Sequence, residues 1–150
     1  MSESCVLHIE SVWKEKTNSA NQLFNEQKLK EALVGYEEAL CRAEVLNNHQ
    51  LDAIEMGIPF MQVFATSCKN IAFTYEEMGE IEKGEKMLKR VIYYFIFLSK
   101  GQTNDSVIQN ELKMALLTYK HFADKNAIEP QDQQTVFANI QEYVKSTYTI

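Results

Sequence analysis

Chain breakers are scarce in this sequence: two Pro and five Gly stand in 150 residues. A sandwich or barrel of short strands needs turn residues far more often, so the scarcity points to long helices. Cysteine is scarce too. Cys5, Cys41 and Cys68 are odd in number, lie far apart and form no Cys-x-x-Cys pair, which argues against a disulfide framework and a zinc site. Reduced thiols and a cytoplasmic location are the matching expectation, with Cys41 and Cys68 as small core residues. There is no dense Lys/Arg block, and the formal charge is −6. Nucleic acid and acidic membrane surfaces are therefore not expected as partners. Lys83, Lys86, Lys89 and Arg90 alternate with Glu80, Glu82 and Glu85, as on a solvated helix face. The longest apolar run, residues 91–98, is too short to span a bilayer. The opening Met-Ser-Glu-Ser-Cys lacks the basic-then-apolar pattern of a signal peptide.

What remains is helical periodicity. The predicted architecture is a single all-α domain over residues 1–150, with residues 1–5 loose and six helices in three antiparallel pairs. Leu7, Trp13, Ala20, Leu23 and Phe24 share a face of the first helix, which ends at Gln27-Lys28. Leu29, Ala32, Leu33, Tyr36, Ala39, Leu40 and Ala43 form the stripe of the second. Its pattern runs on through Leu51, Ala53 and Ile54, so one long helix to Gly57-Ile-Pro59 is favoured over a break near Asn47-Asn48. Pro59 opens the third helix, and Gly79 is suited to a left-handed C-cap at its end. The fourth runs from Ile81 to about Lys100. Its 91–98 segment has no polar side, so it is expected to be covered all round or to form an oligomer face. Thr103, Asn104 or Asp105 caps the fifth helix, which carries Ile108, Leu112, Ala115, Leu116, Tyr119 and Phe122. Residues 126–130 break it, and a sixth helix buries Val136, Phe137, Ile140 and Val144.

Two stretches look alike. Ala20 is followed by Ala32-x-x-x-Tyr36 and Ala39. Further on, Ile71-Ala72-x-x-Tyr75 is followed by Gly79 and Gly84-x-x-x-Leu88. In this the chain resembles the tetratricopeptide repeat (TPR) family, whose small residues let two helices of a hairpin approach closely. The copies lie further apart than the ~34 residues of one repeat. Glu44 stands where the family closes with Pro, and the third helix pair matches only in pattern. The resemblance implies a right-handed superhelical array of hairpins. It also implies a non-enzymatic interaction module that holds a partner peptide or helix on a concave face. The implied partner-binding residues are Lys14, Asn21 and Asn25 on the first helix, with Thr17 and Phe24 beside them. On the third helix they are Thr66, Lys69, Asn70 and Glu77, with Phe73, and on the fifth Lys113, with Gln109 and Lys120. Some family members clamp a C-terminal carboxylate with two Asn and several basic residues. Asn21 and Asn70 fall at the matching positions, whereas Thr17 stands where a Lys belongs. Secretion chaperones of one class are similar in size, acidity and repeat type, and give a narrower expectation.

Chemistry is otherwise thin. His8, His49 and His121 are isolated, and no hydrolase, phosphate-loop or dinucleotide motif occurs. The Glu pairs sit in polar stretches and lack the burial that tunes a general acid. No enzyme activity, cofactor or metal is expected. The competing expectation to a peptide module is a structural homo-oligomer, such as a homodimer, formed through residues 91–98.

Overall fold

The computed structural model describes residues 1–101 and 105–148, and every regular element among them is an α-helix. Seven occur among the described residues: α1 Glu3–Asn25, α2 Leu29–Asn47, α3 Gln50–Glu55, α4 Phe60–Glu77, α5 Ile81–Ser99, α6 Ser106–Lys125 and α7 Pro130–Tyr148. The chain divides into two compact units, Met1–Gly84 and Glu85–Ile150, with α5 starting in the first and continuing in the second.

Four helix ends use one device. After α1, α3, α4 and α6 a residue takes positive φ: Gln27 at 62°, Gly57 at 68°, Gly79 at 80° and Ala127 at 55°. In each case the next N–H reaches back five residues to a carbonyl: Lys28 to Leu23, Ile58 to Ala53, Glu80 to Tyr75 and Ile128 to Ala123, at 2.8–3.0 Å. This double bond pattern satisfies carbonyls that a helix end leaves orphaned, and it turns the chain back on itself. The sequence signals this device only at Gly57 and Gly79. Gln27 and Ala127 adopt the left-handed conformation despite their Cβ atoms, which disfavour it.

In the first unit the N-terminus is ordered, unlike the loose start expected for residues 1–5. The Ser2 side chain accepts the Cys5 N–H at 3.3 Å and caps α1, and Glu3 in the first turn suits the helix dipole. The buried stripe of α1 is centred on Val6, Thr17 and Ala20, with Trp13 and Phe24 half-buried. Leu7, expected on that face, is exposed: it lies about 100° around the helix from the buried Val6. The long second helix is not formed. A turn at Asn48-His49 ends α2, and the six-residue α3 buries only Ala53. Consecutive Asn residues favour local side-chain bonding over helix propagation, and Leu51 and Ile54, which suggested continuity, are exposed. Seven helices therefore replace the expected six.

Small residues set the helix spacing in this unit. Ala20, Ala32 and Ala72 are each 0% exposed. A Cβ placed on Gly35 would lie 3.0 Å from the Ala20 Cβ, so α1 and α2 touch nearly backbone to backbone there. α2 packs on both α1 and α4. Cys41, expected in the core, is exposed on α2, whereas Cys68 is buried on α4. The stripe of α2 passes through Leu40 and Ala43, and this leaves Cys41 on the outer side.

The second unit is built from bulkier side chains. Leu88, Val91, Ile92, Phe95 and Ile96 of α5 are buried, as are Ile108, Leu112, Tyr119 and Phe122 of α6 and Val136 and Ile140 of α7. Tyr119 stacks edge-on against Phe137 of α7 and donates its hydroxyl to the Glu85 carboxylate of α5 at 2.9 Å. Burial and the Glu85 charge push its pKa up from the usual phenol value. The α6–α7 turn is held by the buried Gln133. Its Nε2 donates to the Ile128 carbonyl at 2.9 Å, and its Oε1 accepts from Lys120 Nζ at 2.9 Å. Asp105 caps α6 by accepting from the Val107 and Ile108 N–H groups. The other two cap candidates, Thr103 and Asn104, lie outside the described residues, as does the Val144 side chain. The 91–98 segment is not covered on all sides: Tyr93 is 41% and Phe97 69% exposed. Core formation among the described residues uses the stripe through Leu88, Ile92 and Phe95 and leaves Tyr93 and Phe97 outside it.

Candidate functional site

The partner-binding residues expected on the first unit fall on α1 and α4. These two helices are cross-braced by the Trp13 indole N–H, which donates to Ser67 Oγ at 2.7 Å, while the Ser67 hydroxyl donates to the Val63 carbonyl at 3.0 Å. Ser67 is buried, so the chain of bonds leaves no polar atom of that side chain unmet. The sequence offers a faint signal for this brace: one lone Ser in the apolar run of α4 and a single Trp.

Individual residues differ in how much bonding capacity they have left. Lys14 is exposed but pairs with Glu10 one turn earlier, at 3.7 Å. Asn21 is exposed, and its carbonyl oxygen accepts the Tyr36 hydroxyl of α2, which leaves its NH₂ group outward. Burial pushes the Tyr36 pKa up. Asn25 and Glu77 are exposed; Thr66, Lys69 and Asn70 are half-buried; Phe73 is exposed and Phe24 half-buried. Thr17 is a correction. It is 8% exposed, and its hydroxyl is buried with no hydrogen-bond partner among the described residues, so it faces the packing of α1 and not a ligand. Lys113 is exposed on α6 and belongs to the second unit. Lys120, expected on the same face, is committed to Asp124 at 3.1 Å and to Gln133.

Three hollows of the first unit lie away from the expected residues. One of about 370 Å³ lies between α1 and α2, over the Ala20–Gly35 contact. Its rim carries Lys16 and Glu38, paired at 2.8 Å, and that ammonium holds the Glu38 carboxyl below its ordinary pKa. Others of about 520 Å³ and 280 Å³ lie at residues 47–52 and 79–83. The expected partner-binding residues sit on α1, α4 and α6, exposed except for the half-buried Thr66, Lys69 and Asn70. Those on α1 and α4 offer amide donors and acceptors, the two ammonium groups of Lys14 and Lys69 and the Glu77 carboxylate, a set suited to holding a polypeptide backbone. Among the described residues no group of three His, Cys, Asp or Glu is placed to hold a metal ion, and no helix is long and apolar enough to cross a membrane. His49 pairs with Asp52 at 3.8 Å, and His8 and His121 are exposed.

By fold, the described residues are all-α, with seven helices. Residues 11–144 match the sequence model of a family described as "Protein of unknown function (DUF2753)", and the chain belongs to that family. No curated protein and no solved structure matches it.

Proposed function

We propose that the protein is a non-enzymatic, TPR-like interaction module whose α1/α4 face binds a peptide or helix of a partner protein. The observation that carries this reading is a pair of helices, both packed on α2 and joined by a side-chain hydrogen bond, with unspent bonding groups on it. Trp13 and Ser67 fix α1 to α4, while the Asn25, Thr66, Lys69 and Asn70 side chains make no hydrogen bond or ion pair among the described residues. Amide side chains can pair with a partner's N–H and C=O groups. The close Ala20–Gly35 contact and the repeated reversal at Gln27, Gly57, Gly79 and Ala127 support a stacked-hairpin array of the TPR kind.

The test is selection of binders from a random peptide library on the full chain, followed by affinity measurement for one selected peptide. Asn25→Ala/Asn70→Ala is expected to weaken that peptide at least tenfold, about 1.4 kcal/mol. Unchanged affinity in a variant of wild-type helicity removes this face as the binding surface.

A further inference from the structure

The far side of α5 carries an ordered stripe that the core does not use. Lys86, Arg90, Tyr93 and Phe97 are all exposed. Their steps of four, three and four residues place them on one face, opposite the buried Leu88, Ile92 and Phe95. The stripe is about 16 Å long at the helical rise per residue. Its order is cation, cation, aromatic, aromatic.

That order is self-complementary about its midpoint, between Val91 and Ile92. When a second α5 is laid antiparallel across the first, Lys86 meets the copy's Phe97 and Arg90 meets the copy's Tyr93. The two-fold axis repeats both contacts, giving four cation–aromatic pairs with two exposed aromatics covered on each side. A parallel pair instead sets each cation against its own copy. We infer that this face of α5 is a homodimer interface, formed by a second copy of the chain in antiparallel register. A two-fold arrangement is the commonest way for a chain to meet itself. Residues 85–150 hold seven acidic and eight basic side chains, so net charge does not oppose the approach of this unit to its copy. Four side chains from each copy make a small contact, so the dimer is expected to be weak and concentration-dependent. This inference is independent of the α1/α4 reading.

Sedimentation over a concentration series of the full chain tests it. The wild type is expected to dimerise. Phe97→Glu and Lys86→Glu/Arg90→Glu are each expected to weaken the dimer at least tenfold without loss of helicity. The control Met114→Glu, at an exposed apolar position of α6, is expected to leave it unchanged. Register is read by cross-linking in a background with the two exposed cysteines replaced (Cys5→Ser/Cys41→Ser). A mixture of Arg90→Cys and Tyr93→Cys chains is expected to form the mixed disulfide, and neither chain alone to form its own. A monomer at every concentration, dimerisation that responds to Met114→Glu and not to Phe97→Glu, or an Arg90→Cys chain that cross-links to itself would each overturn the inference. So would a wild type that stays monomeric while a polyanion such as poly-uridine binds the stripe.

Discussion

The two units solve the same packing problem with different materials. In residues 1–84 the buried positions include seven alanines, at 20, 32, 39, 43, 53, 65 and 72, and Gly35 stands over one of them. In residues 85–150 they include Tyr119, Phe95, Phe122, Leu88, Ile92 and Ile96. Small residues bring helix backbones together and leave no room to grow; large ones fill space and leave a void when cut. Both units are vulnerable to truncation, since the first also buries Leu46, Phe60 and Phe64, but the first is the more vulnerable to enlargement. Charge follows the same divide: residues 1–84 hold 14 acidic against 7 basic side chains, whereas 85–150 are nearly balanced. The exposed cation–aromatic stripe of α5 lies in the balanced unit.

A crossed pair of substitutions is the strongest test of that contrast. Phe122→Ala should cost about 3–5 kcal/mol, and Ala20→Leu about 1–3 kcal/mol with α1 and α2 forced apart. Amide hydrogen exchange resolved by helix reads where each loss falls. Trp13, the single Trp, reports fluorescence from the first unit alone. Equal tolerance of Leu at position 20 and at a second-unit Ala such as Ala115 would erase the distinction.

A smaller effect separates the two buried tyrosines. Tyr36 donates to a neutral amide and Tyr119 to a carboxylate. Both pKa values are raised, so the folded state holds the phenol proton more tightly than the unfolded one. Their contribution is complete below the unfolded value near 10 and is lost as pH climbs above it. Tyr119→Phe should therefore flatten the alkaline fall in stability more than Tyr36→Phe does, because the Glu85 charge adds to burial. Denaturation curves at pH 9 and pH 11 would show it, and equal slopes would contradict the ranking.

The smallest expected change is a gain. Ala127→Gly and Gln27→Gly relieve left-handed strain at two of the four reversals and should stabilise by roughly 0.5–1 kcal/mol each. The gain should be one per unit and equal in size, as read by thermal melts. A loss at either site would mean that the side chain there contributes more than the strain removes.

Much of the architecture was legible. Gly57-Ile-Pro59, Gly79 and the 126–130 break announce themselves chemically, and the apolar stripes of α2, α4 and α6 follow from spacing of three and four. The α2–α3 break was not, because the apolar pattern through Leu51 and Ile54 mimics a continuing helix although both side chains end in solvent. Cys41 and Leu7 were misplaced for a related reason. One position of register rotates a side chain by about 100°, from core to surface. Of the candidate site, residue types on α1 and α4 could be named, but not which had already spent their bonds. Thr17 and Lys120 were lost to packing and to pairing, and Asn21 keeps only half of its amide.

By itself the sequence determined the all-helical class, most helix ends and the small residues at which helices would meet, since these depend on local propensity and periodicity. Only the tertiary structure decided that Thr17 is inside while Tyr93 and Phe97 are outside, that Trp13 is tied to Ser67, and that Tyr119 joins three helices. Each of those depends on which neighbour arrives from far along the chain, and that is a property of packing, not of any local run of residues.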